Sequence, residues 1–173
     1  MKALARAVPI VLLLAVAGFA VRWLWAAYGS PPVVQPIQYN HKVHLENNLT
    51  CDNCHEALGT PSPHAGRPAI AVCETCHSPD SPVSKSPEEA KLLDYIKKGE
   101  EPPWQRVHRL PDYVYFSHYR HATLEKIDCK ECHGDMAKRT TPLERPVHAL
   151  TMKWCIACHQ KSKAPTDCDS CHK

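Results

Sequence analysis

The chain has few of the residues from which an ordinary core is made. Only two of its 173 residues are Phe, aromatics are 7% and glycine occurs six times. Sixteen prolines and many short polar runs argue against long helices and regular sheets. It also lacks an excess of charge. Of 21 Lys and Arg, Lys2, Arg6 and Arg22 lie at the N-terminus, which leaves 18 basic residues against 18 acidic over 31–173. A balanced chain of this kind has no basic face for nucleic acid, and none is expected as a partner. Nor is there a spare cysteine. All ten fall in five C-x-x-C pairs, so no disulfide framework and no free thiol are left over.

Every pair is followed at once by histidine: Cys51-Asp-Asn-Cys54-His55, Cys73-Glu-Thr-Cys76-His77, Cys129-Lys-Glu-Cys132-His133, Cys155-Ile-Ala-Cys158-His159 and Cys168-Asp-Ser-Cys171-His172. With 12 histidines in 173 residues, chance would do this with odds on the order of one in a million. A zinc site needs pairs that combine into four ligands and no histidine at that fixed place. A thioredoxin-like dithiol occurs once, beside a strand–helix unit. C-x-x-C-H reads instead as covalent haem attachment. The two thiols of each motif bind the vinyl groups of one c-type haem, and the next imidazole reaches the iron. The expectation is five covalently bound c-type haems, with His55, His77, His133, His159 and His172 as proximal ligands.

If the first 28 or so residues are set aside, roughly 29 residues remain per haem, too few for an ordinary core. The composition alone would suggest disorder. Covalently fixed apolar plates reverse that expectation. They become the core and the polypeptide wraps them, so the chain without haem is expected to be unfolded. The expected fold class is a haem-packed multihaem cytochrome c with short α-helices, loops and little regular structure.

Residues 7–21 form an unbroken apolar run behind Lys2 and Arg6. Counted to Tyr28, the segment is about 22 residues, or roughly 33 Å of helix against a hydrocarbon core of about 30 Å. Trp23, Trp25 and Tyr28 suit an interfacial belt, with Arg22 reaching outward between them. Residues 1–29 are thus expected to be one transmembrane anchor with its basic end in the cytoplasm. A cleaved signal peptide, with Gly18 and Ala20 before the cut, is the alternative. Either places the haem domain on the outer, periplasmic face of a bacterial cytoplasmic membrane.

The remainder is organised around a repeat. "YNHKVHLENNLTCDNCH" (39–55) and "FSHYRHATLEKIDCKECH" (116–133) both carry H-x-x-H ahead of a haem motif, and each is followed by a second motif. The expected division is a linker at 30–38, a two-haem unit at 39–85, a helical connector at 86–112 and a three-haem unit at 113–173. In the connector, Ser86 is an N-cap, Pro87 fits the first turn and Glu89 completes a capping box. Leu92, Leu93 and Ile96 form an apolar face, and Lys97, Lys98 and Gly99 end the helix. Residues 59–68 read as a loop.

Seven further histidines compete for the second axial positions. At a spacing of three, His41 and His44, and likewise His118 and His121, project from one helical face. Such a pair serves two irons rather than one, which locks neighbouring haems together. These four are the expected distal ligands. His108 is the expected fifth, with Met152 as the alternative, a thioether that would raise that haem's potential. His64 and His148 read as surface residues or propionate partners.

H-x-x-H before C-x-x-C-H resembles the small class III cytochromes of sulfate- and metal-reducing bacteria. "PPWQRVHRLPDYVYFSHYRHA", "CKECHG", "LTMKWCIACH" and "HAGRPAIAVCETCH", with the N-terminal apolar run, are similar to the pentahaem subunit of alternative complex III, a quinol-oxidising assembly. The resemblance implies a non-catalytic electron-transfer subunit. Its partners would be the other subunits of a quinone-linked membrane complex and a periplasmic electron donor or acceptor protein. A free-standing membrane-anchored shuttle, a multihaem reductase with an open haem site, and a module in which haems chiefly staple the fold are the other readings.

Overall fold

The computed structural model describes the backbone of residues 2–28, 31–62 and 64–172, with side chains from 11 to 25 and, over the same ranges, from 31 onward. It divides into two units, Met1–Pro32 and Val33–Lys173.

The first unit is α1, Lys2–Tyr28, 27 residues long and so about 40 Å. Its described side chains are exposed, Leu13, Phe19 and Trp25 among them. Among the described residues no helix is long and apolar enough to cross a membrane. Residues 1–10 and 26–30, on which part of the expected anchor falls, lie outside the described side chains.

The second unit is short helices joined by irregular chain: α2 (His41–Glu46), α3 (Cys51–Cys54), α4 (Ile70–Glu74), α5 (Pro87–Lys98), α6 (Lys130–His133) and α7 (Met152–Ser162). Two 3-10 turns and a π-helical turn, Tyr119–Leu124, lie between them, and a further 3-10 turn, Cys168–Ser170, follows α7. No strand forms among the described residues. Pairing is confined to the isolated bridges Ser78–Ser81 and Val114–His172. Among the described residues, the buried hydrophobic side chains are Ile37, Ile70, Leu92 and Leu93. So small a set cannot offset the chain entropy of a unit this size. It marks a fold whose apolar interior is supplied by something other than side chains.

The helix ends follow local chemistry. Asn40 caps α2 by accepting from Val43 N–H at 3.1 Å, and Thr151 caps α7 by accepting from Trp154 N–H. Ser86 caps α5 through Glu88 N–H, Pro87 occupies its first turn, and Gly99 ends it at φ 64°, where a Cβ is disfavoured. One expectation fails there. Glu89 does not close a capping box. Ser86 N–H goes to Ser84 Oγ instead, and the Glu89 carboxylate turns away to His77, Val83 and Ser84. Three strong donors outcompete a single N–H at the helix end.

The internal repeat persists at the level of atoms. Tyr39 stacks on His44 (4.4 Å, 24°) and stands edge-on to His41 (4.7 Å, 83°). Phe116 stacks on His121 (4.5 Å, 24°) and stands edge-on to His118 (4.9 Å, 86°). In the first copy the histidines lie on α2, and in the second on the π-helical turn and its N-cap. Thr123 Oγ donates to Leu58 O at 2.7 Å and ties the second copy to the first.

Candidate haem sites

Each C-x-x-C-H segment is a single turn. The histidine N–H donates to the carbonyl of the first cysteine in four of them, at 2.8 Å for His55 and 2.9 Å for His77, His133 and His172. The remaining segment, 155–159, lies inside α7. This wraps two thiols and one imidazole around a common axis. All ten cysteines are unpaired, five exposed and five half-buried. Among the described residues no group of three or more His, Cys, Asp or Glu is placed to hold a bare metal ion.

The imidazoles are poised in one tautomer. His55 Nδ1 faces Gly66 O at 2.9 Å, His159 Nδ1 faces Pro165 O at 2.6 Å, His44 Nδ1 faces Asn40 O at 2.8 Å and His121 Nδ1 faces Ser117 O at 2.8 Å. A carbonyl can only accept, so each Nδ1 carries the proton and each Nε2 presents its lone pair. That is the form in which an imidazole binds a metal.

The rings also meet across gaps of one size. His44 lies 6.1 Å from His77, His118 lies 6.2 Å from His133 with planes 11° apart, and His121 lies 6.0 Å from His159. A metal–imidazole bond is about 2.0 Å and the ring centre lies roughly 1.1 Å beyond, so two axial imidazoles on one metal have centres about 6.2 Å apart. The residues therefore fit a haem iron at these three places. The pairing crosses the sequence order. His44 faces the second motif and His121 the fourth, whereas His118 faces the third.

His41 is drawn towards His55. Burial first, then the neighbouring His55 and His44, lowers its pKa to about 4. His133 is likewise at about 4, first through burial, then through His108, His118 and His55. Both stay neutral at pH 7, as a ligand must. His41 Nδ1 and His108 Nε2 are buried without a hydrogen-bond partner among the described residues. His108 stands edge-on to His133 at 4.5 Å. The ring beside His172 is that of Tyr113, at 5.8 Å. His148 stacks on Trp154, Met152 is 66% exposed at the start of α7, and His64 is exposed, its backbone N–H donating to Ser62 Oγ at 3.2 Å.

The thiols show how the motifs follow one another. Burial raises the pKa of Cys73, Cys51, Cys132 and Cys155, and next in each case comes a thiol of another motif. The neighbours are Cys54 for Cys73, Cys129 for Cys51, Cys158 for Cys132 and Cys171 for Cys155. The attachment turns thus run in space as 73–77, 51–55, 129–133, 155–159 and 168–172, an order that differs from the sequence in its first two members.

Sequence reasoning missed two features. The aromatic ring two residues before each H-x-x-H, Tyr39 and Phe116, was visible in the repeat. Glu89 was not, because its position also suits a helix cap.

Residues 26–101 match the class III cytochrome c family, and residues 114–173 match cytochrome c7 and related cytochromes c. The chain is also 34% identical over 164 residues to the multihaem cytochrome c subunit of menaquinone reductase from Nitratidesulfovibrio vulgaris, covering 80% of this chain and 77% of that protein. The motif turns, the tautomers set at Nδ1 and the iron-sized gaps agree with these matches, and the chain belongs to the multihaem cytochromes c of class III and c7 type, electron-transfer proteins with covalently bound haem.

Proposed function

We propose that this chain carries electrons through five c-type haems as the cytochrome subunit of a quinone-linked membrane complex, such as alternative complex III. The observation that carries this is the set of three 6.0–6.2 Å gaps between histidines, two of them flanked by rings whose Nδ1 is bound to carbonyl oxygen. The relative named as a menaquinone reductase subunit supports the quinone link. When bound, haem supplies a one-electron iron couple.

The chain's own residues do the rest. Ten thioether-forming cysteines fix each group at two points. His55, His77, His133, His159 and His172 would hold each iron from the side of its own motif, and His41, His44, His118 and His121 would supply the second protein ligands. With both sides held by protein, water and substrate are kept from the metal, which makes for conduction rather than catalysis. Because His41 and His44 belong to one turn but serve adjacent motifs, any displacement of α2 moves two sites together. The fifth distal position goes to His108 over Met152. A buried Nε2 without a partner is what an unfilled ligand looks like, although the ring rests against His133.

The apolar run of residues 7–21 and the exposed apolar side chains of α1 support an anchor in the bacterial cytoplasmic membrane, with the second unit on the periplasmic face. The partners are the other subunits of the complex and a periplasmic donor or acceptor protein. Mild detergent extraction and mass analysis of the native species test this. Five haems on the chain and co-purification with a quinol-active assembly are expected. A lone chain with its haems would point to a free shuttle instead.

A second reading, a multihaem reductase, draws on the Tyr113 ring beside His172. Carbon monoxide binding by the native reduced protein would favour it.

A further inference from the structure

His77 differs from His55 and His159 in what stands behind it. His55 and His159 donate their Nδ1–H to backbone carbonyls, which are neutral dipoles. His77 donates to Glu89 Oε1 at 2.9 Å. The side chain of Glu89 is 5% exposed and that of His77 17%. The same oxygen accepts from Val83 N–H at 2.8 Å, and Oε2 accepts from Ser84 Oγ. Donors converge on both oxygens, the environment of a carboxylate anion rather than an acid. The first turn of α5 adds the positive end of a helix. The fold thus holds a buried negative charge on the far side of one metal-binding imidazole.

The consequence is electronic. A carboxylate on Nδ1–H makes the imidazole a stronger donor through Nε2. A fixed negative charge held out of solvent beside the imidazole also favours the more positive, oxidised iron. Both effects lower the potential. The site also has a particular place. Motif 73–77 ends the spatial row, joined to it through Cys54 and Cys73 and through the His44 ring opposite His77.

We propose that Glu89 is a positioning residue that holds the haem of Cys73, Cys76 and His77, at one end of the row, at a lower potential than the carbonyl-backed sites of His55 and His159. This rests on the proposed haem at His77. The end of the row with Glu89 is then a stronger reductant than the sites of His55 and His159, and an electron placed there runs downhill towards motif 51–55.

The test is a mediated spectroelectrochemical titration of the detergent-solubilised holoprotein, in which the electrode supplies each electron. Wild type is compared with Glu89→Gln, Ser84→Ala and a Cys73→Ala/Cys76→Ala variant, and haem is counted by intact mass. Glu89→Gln keeps an oxygen for His77 and Val83 but removes the charge. One component should shift at least tenfold towards the reduced form, about 59 mV for a one-electron couple, while the others hold. The double cysteine variant should lack that same component. Ser84→Ala leaves the charge but removes a donor, so the carboxylate bears harder on His77 and the midpoint should fall. It decides the question alone if Glu89→Gln sheds the haem. Loaded, low-spin variants whose midpoints stay at the wild-type values would overturn the proposal. If the double cysteine variant has the same haem count as wild type, the haem at His77 is itself disproved, whatever Glu89 does.

Discussion

Replacing His44 by alanine tests the crossed wiring directly. His44 lies seven residues before Cys51 in the sequence, yet its ring stands 6.1 Å from His77 and so serves the second motif. Removal should open one axial position in five and leave the other four low-spin. About a fifth of the low-spin absorbance should become high-spin, and the reduced protein should bind one carbon monoxide per chain. The vacated space is that of one imidazole, stacked on Tyr39 and tied to Asn40 O. Neither of these neighbours offers an iron ligand in its place short of moving the α2 turn. The assay is magnetic circular dichroism with a carbon monoxide titration, repeated in a Cys73→Ala/Cys76→Ala background. In that background the carbon monoxide site should vanish, because the iron it reports is gone. Retention of the site there would assign His44 to the motif that follows it in sequence and refute the pairing with His77. A fully low-spin His44→Ala protein would refute it as well.

Further outcomes follow from the same geometry. Gly134 has φ 72° and ψ −179°, a region open essentially to glycine alone, and a Cβ there would meet Val147 Cγ2 at 3.2 Å, so Gly134→Ala should cost about 1–3 kcal/mol and lower the thermal midpoint with haem loading intact. Glu88 is held below the ordinary carboxylate value, first by Gln38 N–H and then by Lys91. Its contribution is present above about pH 4.5 and fades as pH falls through the folded value. Glu88→Gln should therefore cost about 1 kcal/mol at pH 7, discounted because the side chain is a quarter exposed, and progressively less as the pH falls below about 4.5, read from melting curves. Tyr39→Phe should leave all spectra unchanged, since Phe116 already fills the equivalent place, whereas Tyr39→Ala should broaden the low-spin signals of the His41 and His44 sites. The chain produced without haem attachment should show random-coil circular dichroism over 33–173, because four buried aliphatic side chains are too few to hold it. A cooperative melt of that apo chain would count against a haem core.

Much of this was readable from the residues. The C-x-x-C-H turns, the paired histidines and the helix of 86–99 are local, set by spacings within one or two turns and by caps such as Ser86 and Gly99. The repeat of 39–55 in 116–133 is also a property of the chain itself, down to the aromatic that stacks on the second histidine of each pair. Local rules went astray at Glu89. A glutamate three residues after a serine N-cap satisfies the cap rule, and nothing in the sequence says that His77, twelve residues earlier, will bring a better donor.

The chemistry was written in the order of the residues: ten thiols, their adjoining imidazoles and a polypeptide too poor in apolar bulk to fold around itself. Three things emerged only on folding. They are which histidine faces which, the spatial order beginning 73–77, 51–55, 129–133, and the placing of a carboxylate behind His77. Covalent spacing constrains groups a turn apart. Partners tens of residues away are selected by how loops close and donors compete in three dimensions, and a linear pattern carries no record of that.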